Sequence, residues 1–122
     1  MQDKEIYLFS KGIRSFNNKK FYDAHEYWEE LWLEYKLKDA KFIQGLIQLA
    51  VSYFHYFNDN LKGARSMLAK SQLKFKDYKT VRGIDVECLL LEMSKLETSY
   101  DSLSRKLYNK EVYIISLKVI HE

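Results

Sequence analysis

Hydrophobic residues recur along this chain at intervals of three and four, which is the spacing of an amphipathic α-helix. Near the N-terminus the repeat is carried by Ile6, Phe9, Ile13 and Phe16. Polar breaks divide the pattern into five segments, which we predict to be helices. Their expected bounds are 3–16, 19–37, 40–57, 61–78 and 86–107. Because the connections are short, consecutive helices are expected to pack antiparallel.

The breaks contain residues that favour turns and helix caps. Asn17-Asn18 ends the first segment, and Asp39, Asn60 and Asp85 stand directly before the third, fourth and fifth segments. Short polar side chains at these positions can accept hydrogen bonds from the first free N–H groups of a helix. We therefore expect side-chain caps at Asp39, Asn60 and Asp85.

The C-terminal tail, residues 108–122, departs from the helical pattern. Residues 112–120 are mostly apolar or β-branched, which favours extended backbone, but a lone strand has no sheet to join. We expect an extended piece along the bundle or a sixth short helix. The whole chain, 1–122, is predicted to be one all-α domain, an antiparallel bundle of about five helices.

The composition agrees with a helical fold. The 122 residues include no proline and only four glycines, the two residue types that most disfavour helix interiors. The net charge of +3 is too even to indicate a nucleic-acid or membrane partner. The basic cluster between Lys70 and Arg82 is interpreted as a solvated face and helix end.

Cysteine usage and the absence of long apolar runs indicate a compartment. Cys88 is the only cysteine, so an internal disulfide cannot form and a reducing environment is indicated. It lies in an apolar run and is expected to be a buried small hydrophobe. The N-terminus has no signal core, and no run is long enough to span a membrane. We expect a cytoplasmic protein.

One segment carries chemistry as well as periodicity. His25, Glu29 and Trp32 stand at i, i+4 and i+7, so they form one stripe of the second helix. Large aromatic residues flank this stripe, and we expect it to face inward. A buried imidazole and carboxylate are costly unless each has a partner. The segment therefore indicates a site rather than packing alone.

The third helix offers a matching polar face. If the turn centres on residues 38 and 39, the numbers of residues at equal height on helices two and three sum to about 77. Glu29 then lies opposite Gln48, and Trp32 lies opposite Gly45, which would leave room for the indole. The polar arc comprises Gln44, Gly45, Gln48, Ser52 and His55. We expect the two faces to meet in a shielded crevice.

These residues resemble those of a known family. The stripe matches the H-x-x-x-E-x-x-W signature of domain-of-unknown-function family 309, found in bacteria, archaea and some plastids. The remaining similarity lies in residues 16–17, 21–32, 42–50, His55, Asn60 and 63–64. It covers a core of about residues 9–85 and leaves out the tail. The resemblance implies a helical bundle without a characterised activity, adds the plastid stroma as a location, and makes metal binding by the motif a hypothesis.

Three functions remain open from the sequence. The first is a binding module for a small molecule or a partner protein, with a homodimer favoured if an aromatic face is exposed. Its expected binding residues are His25, Glu29, Trp32, Gln44, Gln48 and His55. The second is a metal-dependent, hydrolase-like enzyme with His25 and Glu29 as catalytic candidates and a divalent metal on His25, Glu29 and His55. The third is a buried hydrogen-bonded network that fixes helix pairing.

Overall fold

A computed structural model describes residues 3–104 and 111–120. These residues form five α-helices, a two-stranded hairpin and an extended C-terminal segment (111–120). In chain order the elements are α1 (Asp3–Asn17), α2 (Phe21–Glu34), α3 (Ala40–Phe57), α4 (Leu61–Phe75), β1 (Thr80–Val81), β2 (Ile84–Asp85) and α5 (Val86–Ser104). The predicted all-α bundle is confirmed. The last expected turn of the fifth helix, 105–107, and residues 108–110 and 121–122 of the tail lie outside the described residues.

Helices α1 and α2 approach closely at a glycine. A Cβ atom on Gly12 would overlap the indole of Trp28, so only glycine allows the two helices to pack at this distance. Trp28 is fully buried, and its Nε1–H donates a hydrogen bond to the carbonyl of Phe9 over 3.3 Å. The tryptophan that a glycine accommodates is therefore Trp28, on the core-facing stripe of α2.

Helix α3 packs between α2 and α4. One side of it is fully buried, at Phe42, Leu46, Leu49 and Tyr53. The opposite side is half-buried, at Gln44, Gln48, Val51 and His55. Because these residues follow the helical period, α3 presents one side to the core and the other to solvent.

The predicted pairing of Gly45 with Trp32 is wrong, because Gly45 faces α4. A Cβ atom on Gly45 would lie 2.7 Å from Cε1 of Phe75. The carbonyl of Gly45 also accepts a hydrogen bond from Ser71 Oγ over 2.8 Å. Ser52 faces the same way, since its hydroxyl donates to the carbonyl of Ala64 over 2.7 Å. The predicted polar arc is thus divided between two sides of α3.

A hairpin joins α4 to α5 in the stretch predicted only as a break. Its central residues, Arg82 and Gly83, both have positive φ, 51° and 79°, as the favoured two-residue hairpin turn requires. The Arg82 guanidinium donates to Asp39 over 2.6 and 3.1 Å and to Glu5 over 3.1 Å. Burial alone would lower the pKa of Arg82, but the two carboxylates raise it above its usual value. This cluster ties the hairpin to both α1 and the start of α3.

The C-terminal segment is extended, which confirms that alternative for residues 111–120. Bundle side chains bond its backbone as a neighbouring strand would. The Tyr53 hydroxyl donates to the carbonyl of Tyr113 over 2.8 Å and accepts from the N–H of Ile115 over 2.9 Å. The Asn17 amide exchanges two hydrogen bonds with the Leu117 backbone, at 2.7 and 2.9 Å. These bonds replace the missing sheet partner.

Two of the three predicted helix caps are confirmed. Asn60 Oδ1 accepts from the N–H of Gly63 over 2.9 Å, and Asp85 Oδ1 accepts from the N–H of Cys88 over 3.1 Å. The predicted Asp39 cap is wrong, because Arg82 holds its carboxylate and no cap bond forms. The predicted burial of Cys88 is also wrong. The thiol is exposed because the cap places it in the first, solvent-facing turn of α5.

Candidate functional site

The six predicted binding residues lie on the solvent side of the three neighbouring helices α2, α3 and α4. We call this surface the outer face. It comprises Tyr22, His25, Glu29 and Trp32 on α2, Gln44, Gln48, Phe54 and His55 on α3, and Lys70 and Lys74 on α4. Lys74 belongs to it because its Cβ lies 3.0 Å from the position of a Cβ on Gly45, and Lys70 is one turn earlier on the same stripe.

His25 and Glu29 form a direct pair across one helical turn. The His25 Nε2 atom lies 2.8 Å from Glu29 Oε2. The side chain of His25 is 22% exposed and that of Glu29 is 48% exposed. The expected inward orientation of this stripe is therefore wrong. The α2 core positions are Phe21, Ala24, Trp28 and Leu31, and the motif stripe flanks them, so it reaches the surface.

Trp32 is also nearer to solvent than the sequence predicts. It is 39% exposed, and among the described residues its indole N–H has no hydrogen-bond partner. The indole does not bond to Glu29, three residues earlier on α2, because His25 engages that carboxylate instead. An exposed indole of this kind is a contact group for a partner, since it offers a large apolar surface with one polar handle.

Gln48 carries the clearest unsatisfied group of the outer face. Its Oε1 atom is buried, and no hydrogen-bond partner lies near it among the described residues. A buried amide oxygen without a donor costs about 1–3 kcal/mol. Such a cost is unusual at a purely structural position, where polar groups are normally satisfied.

Aromatic rings link the two histidines of the face. The ring centroid of Tyr22 lies 5.5 Å from the centroid of His25 and 5.5 Å from that of Phe54. The centroid of Phe54 lies 6.3 Å from that of His55. The contact of Tyr22 with Phe54 gives a residue sum of 76, close to the predicted hairpin register of about 77. A hydrogen bond to Glu26 raises the pKa of Tyr22.

His55 has a local partner in the next turn. Its Nδ1 atom lies 3.3 Å from Nδ2 of Asn60, the residue that caps α4. Within residues 3–104 and 111–120, no three His, Cys, Asp or Glu side chains are grouped to hold a metal ion. His25, Glu29 and His55 therefore do not form the three-donor set expected from the sequence.

The charges of the three helices are segregated. Helix α2 contains five acidic residues and no Lys or Arg, whereas α4 contains three Lys, one Arg and no acidic residue. Helix α3, between them, also has no Asp or Glu. The even net charge of the chain conceals this separation, although the signal is present in the sequence as a count for each helix.

A larger cavity lies elsewhere. It measures about 930 Å³ and runs between α1, the hairpin and the C-terminal segment. Its walls include Ile6, Phe9, Ile13, Val119 and Ile120. The charge of Arg82, also in the lining, is already balanced by Asp39 and Glu5. Sequence reasoning missed this cavity because the hairpin and tail that form two of its walls were not placed.

A smaller cavity of about 390 Å³ opens at one end of the outer face. It is lined by residues 19–23 with Phe54 and Phe57. Neither His25 nor Glu29 belongs to its lining, so the motif pair is not enclosed by it.

The comparisons with known proteins concern the N-terminal half of the chain. No helix among the described residues has the length and apolar character needed to cross a membrane. No curated protein matches the sequence. Residues 9–67, from the middle of α1 to the middle of α4, match the model of the family described as Domain of unknown function (DUF309), and this segment belongs to that family.

Proposed function

We propose that this chain is a partner-binding helical module and that the outer face is its binding surface. The observation that carries the proposal is the exposure of the motif. The pair of His25 and Glu29 is held at 2.8 Å, yet both side chains reach solvent beside exposed rings. Interface cores are enriched in aromatic residues and their rims are polar, so exposed rings beside an oriented polar pair fit a binding surface.

The exposed rings strengthen this proposal. Tyr22 is exposed over half of its surface, and Trp32 and Phe54 over more than a third. Aromatic side chains of this kind dominate binding energy when a partner covers them. A small-molecule site would place the motif pair inside a cavity, whereas Tyr22 and Phe54 line the nearby cavity without it. A protein partner therefore fits this surface better than a small ligand.

The other two functions have weaker support. A metal-dependent hydrolase needs three donors around one ion, and the described residues offer His25 with Glu29 only. A purely structural network would be buried and satisfied, whereas Glu29 is half exposed and Gln48 Oε1 has no partner among the described residues.

Photo-cross-linking in the native host tests the proposal. A benzophenone amino acid replaces Phe54 on the outer face or, as the control, Leu91 on α5, which is 62% exposed. We expect a discrete protein adduct from position 54 and none from position 91. Mass spectrometry then identifies the adduct.

The same experiment with Glu29→Lys adds a second criterion. The adduct at position 54 should weaken at least tenfold, because charge reversal at an interface opposes correct docking. Equal adducts from positions 54 and 91, or no adduct from position 54, would contradict a binding role for the outer face.

A further inference from the structure

We propose that the partner of the outer face is a second copy of this chain, docked face to face about a two-fold axis parallel to α3. This inference rests on the proposed function, because it names the partner for the same surface. Its basis is the pattern of charge across the three helices. An isologous interface must be complementary to itself under the two-fold operation.

The two edges of the outer face carry opposite charges, and among the described residues no lysine or arginine pairs with Glu29 on the acidic edge. On the α4 edge, Lys70 and Lys74 have no ion-pair partner within the described part of the chain. On the α2 edge, Glu29 is paired with the half-buried His25 alone. By contrast, Glu30 is engaged by Lys4 of α1. The acidic and basic edges are thus both available to a partner.

Contacts between the helices show which residues share a height. On the α3–α4 side, the bonds of Ser52 with Ala64 and of Gly45 with Ser71 give residue sums of 116. On the α2–α3 side, the contact between Tyr22 and Phe54 gives 76. Glu29, Gln48 and Lys70, with sums of 77 and 118, therefore form a row across the face whose members lie within about 3 Å of one height. Trp32, Gln44 and Lys74 form the next row, one helical turn away.

A two-fold axis parallel to α3 places the α2 edge of one copy on the α4 edge of the other. It keeps the height of each row. Glu29 of one copy then meets Lys70 of the other, and Trp32 meets Lys74, where a lysine over an indole is attractive. Gln44 and Gln48 meet their own counterparts at the axis. An axis perpendicular to α3 in the same plane would instead place α2 on α2, which brings acidic residues together. The charge pattern selects the first arrangement.

The face is large enough for a stable dimer. Helix α3 has 18 residues, so it is about 27 Å long. Three helices packed side by side and spaced about 9 Å apart cover a width of roughly 25 Å. Their product, on the order of 700 Å² per copy, is near the 800 Å² per partner of a standard specific interface.

Charge reversal and mixing test this dimer in solution. Sedimentation velocity of the full chain should show a dimer at micromolar concentration. Glu29→Lys alone and Lys70→Glu alone should each raise the dissociation constant about 100-fold or more, because two like-charge contacts appear in each homodimer. Mixing the two variants in equal amounts should restore dimers, since both contacts between the different copies are then attractive. Glu87→Lys on α5, an equal charge change off the face, should dimerise like the unchanged chain.

Restoration by mixing also shows that both variants are folded. A chain that stays monomeric up to about 1 mM, roughly a thousand times the micromolar Kd at the weak end for interfaces of this size, would overturn the inference. Single variants that dimerise normally, or mixtures that stay monomeric, would overturn it too. If the adduct at position 54 contains a different protein and the chain is monomeric, the second copy is wrong but the binding module stands. If the chain is monomeric and no adduct forms, both proposals fail.

Discussion

The polar groups on the two sides of α3 differ in whether they have hydrogen-bond partners. On the buried side, the Ser52 hydroxyl donates to a carbonyl of α4 and lies 2.9 Å from the hydroxyl of Tyr100. The Tyr53 hydroxyl bridges two backbone groups of the C-terminal segment. On the outer side, Gln48 Oε1 has no partner in the described part of the chain, and Glu29 on the neighbouring helix α2 is half exposed.

This difference separates groups that hold the fold from groups that are open to a partner. Burial raises the pKa of Tyr100 to about 12 and raises that of Tyr53 as well, so both stay protonated and keep their bonds at neutral pH. Buried polar groups whose hydrogen bonds are all formed stabilise one arrangement of the chain. The outer side adds little to folding, and its exposed groups, such as the Glu29 carboxylate and the Trp32 indole, remain accessible for binding.

The largest effect is expected where α3 meets α4. Gly45→Ala places a Cβ atom 2.7 Å from the Phe75 ring, and forcing this contact should lower the free energy of unfolding by about 1–3 kcal/mol. Urea denaturation measures the loss. Phe75→Leu in the same chain should recover part of it, whereas Trp32→Ala should recover none. Rescue by Trp32→Ala would restore the pairing predicted from the sequence and contradict the structure.

Tyr53→Phe tests the hydrogen bonds on the buried side of α3 and should cause a smaller loss of stability. It leaves the carbonyl of Tyr113 and the N–H of Ile115 without their shared partner, so the free energy of unfolding should fall by about 1–2 kcal/mol. Hydrogen exchange should accelerate at the Ile115 amide. Tyr56→Phe is the matched control, since no partner for its hydroxyl is found among residues 3–104 and 111–120. Equal losses from the two variants would contradict a specific role for the Tyr53 hydroxyl.

A third effect concerns acid and the C-terminal segment. Tyr113 donates to Glu92 over 2.6 Å, and this bond, with a smaller contribution from Lys95, holds the pKa of Glu92 below its usual 4.5. A lowered carboxyl pKa stabilises the folded state above the usual value and loses that contribution as pH falls through the lowered one. The melting temperature should therefore decline below pH 4.5, and Tyr113→Phe should flatten this decline. An unchanged acid profile would show that the bond contributes nothing.

The helices were predictable because their signal is local. Hydrophobic periodicity and the absence of proline depend only on neighbouring residues, and Asn60 and Asp85 cap their helices as expected. Asp39 could not be predicted correctly, because Arg82, 43 positions later, takes its carboxylate. The hairpin that brings Arg82 back has an Arg-Gly turn, which lacks the usual asparagine or aspartate signal.

The burial of the motif stripe could not be predicted correctly from the sequence. The one-turn spacing of His25 and Glu29 allows a direct pair, and the structure has it. The core stripe of α2, however, passes through Trp28 and not through Trp32. Aromatic residues surround both positions, so sequence periodicity alone gave no way to choose between the two tryptophans. The glycine that decides the matter, Gly12, lies on a different helix.

The smallest effect is expected at the motif pair itself. Because Glu29 is 48% exposed, solvent screens its attraction to His25, and exposed pairs of this spacing contribute about 0.3–0.5 kcal/mol. His25→Ala, Glu29→Gln and the double variant form a cycle, and urea denaturation should give a coupling energy in this range. The single variants should each lower the free energy of unfolding by less than about 1 kcal/mol. A coupling above about 1.5 kcal/mol would mean that the pair stabilises the fold as the fully hydrogen-bonded groups of the buried side do. It would favour the structural network. A small coupling, with cross-linking from position 54 lost in Glu29→Lys, would show that this pair serves binding more than folding.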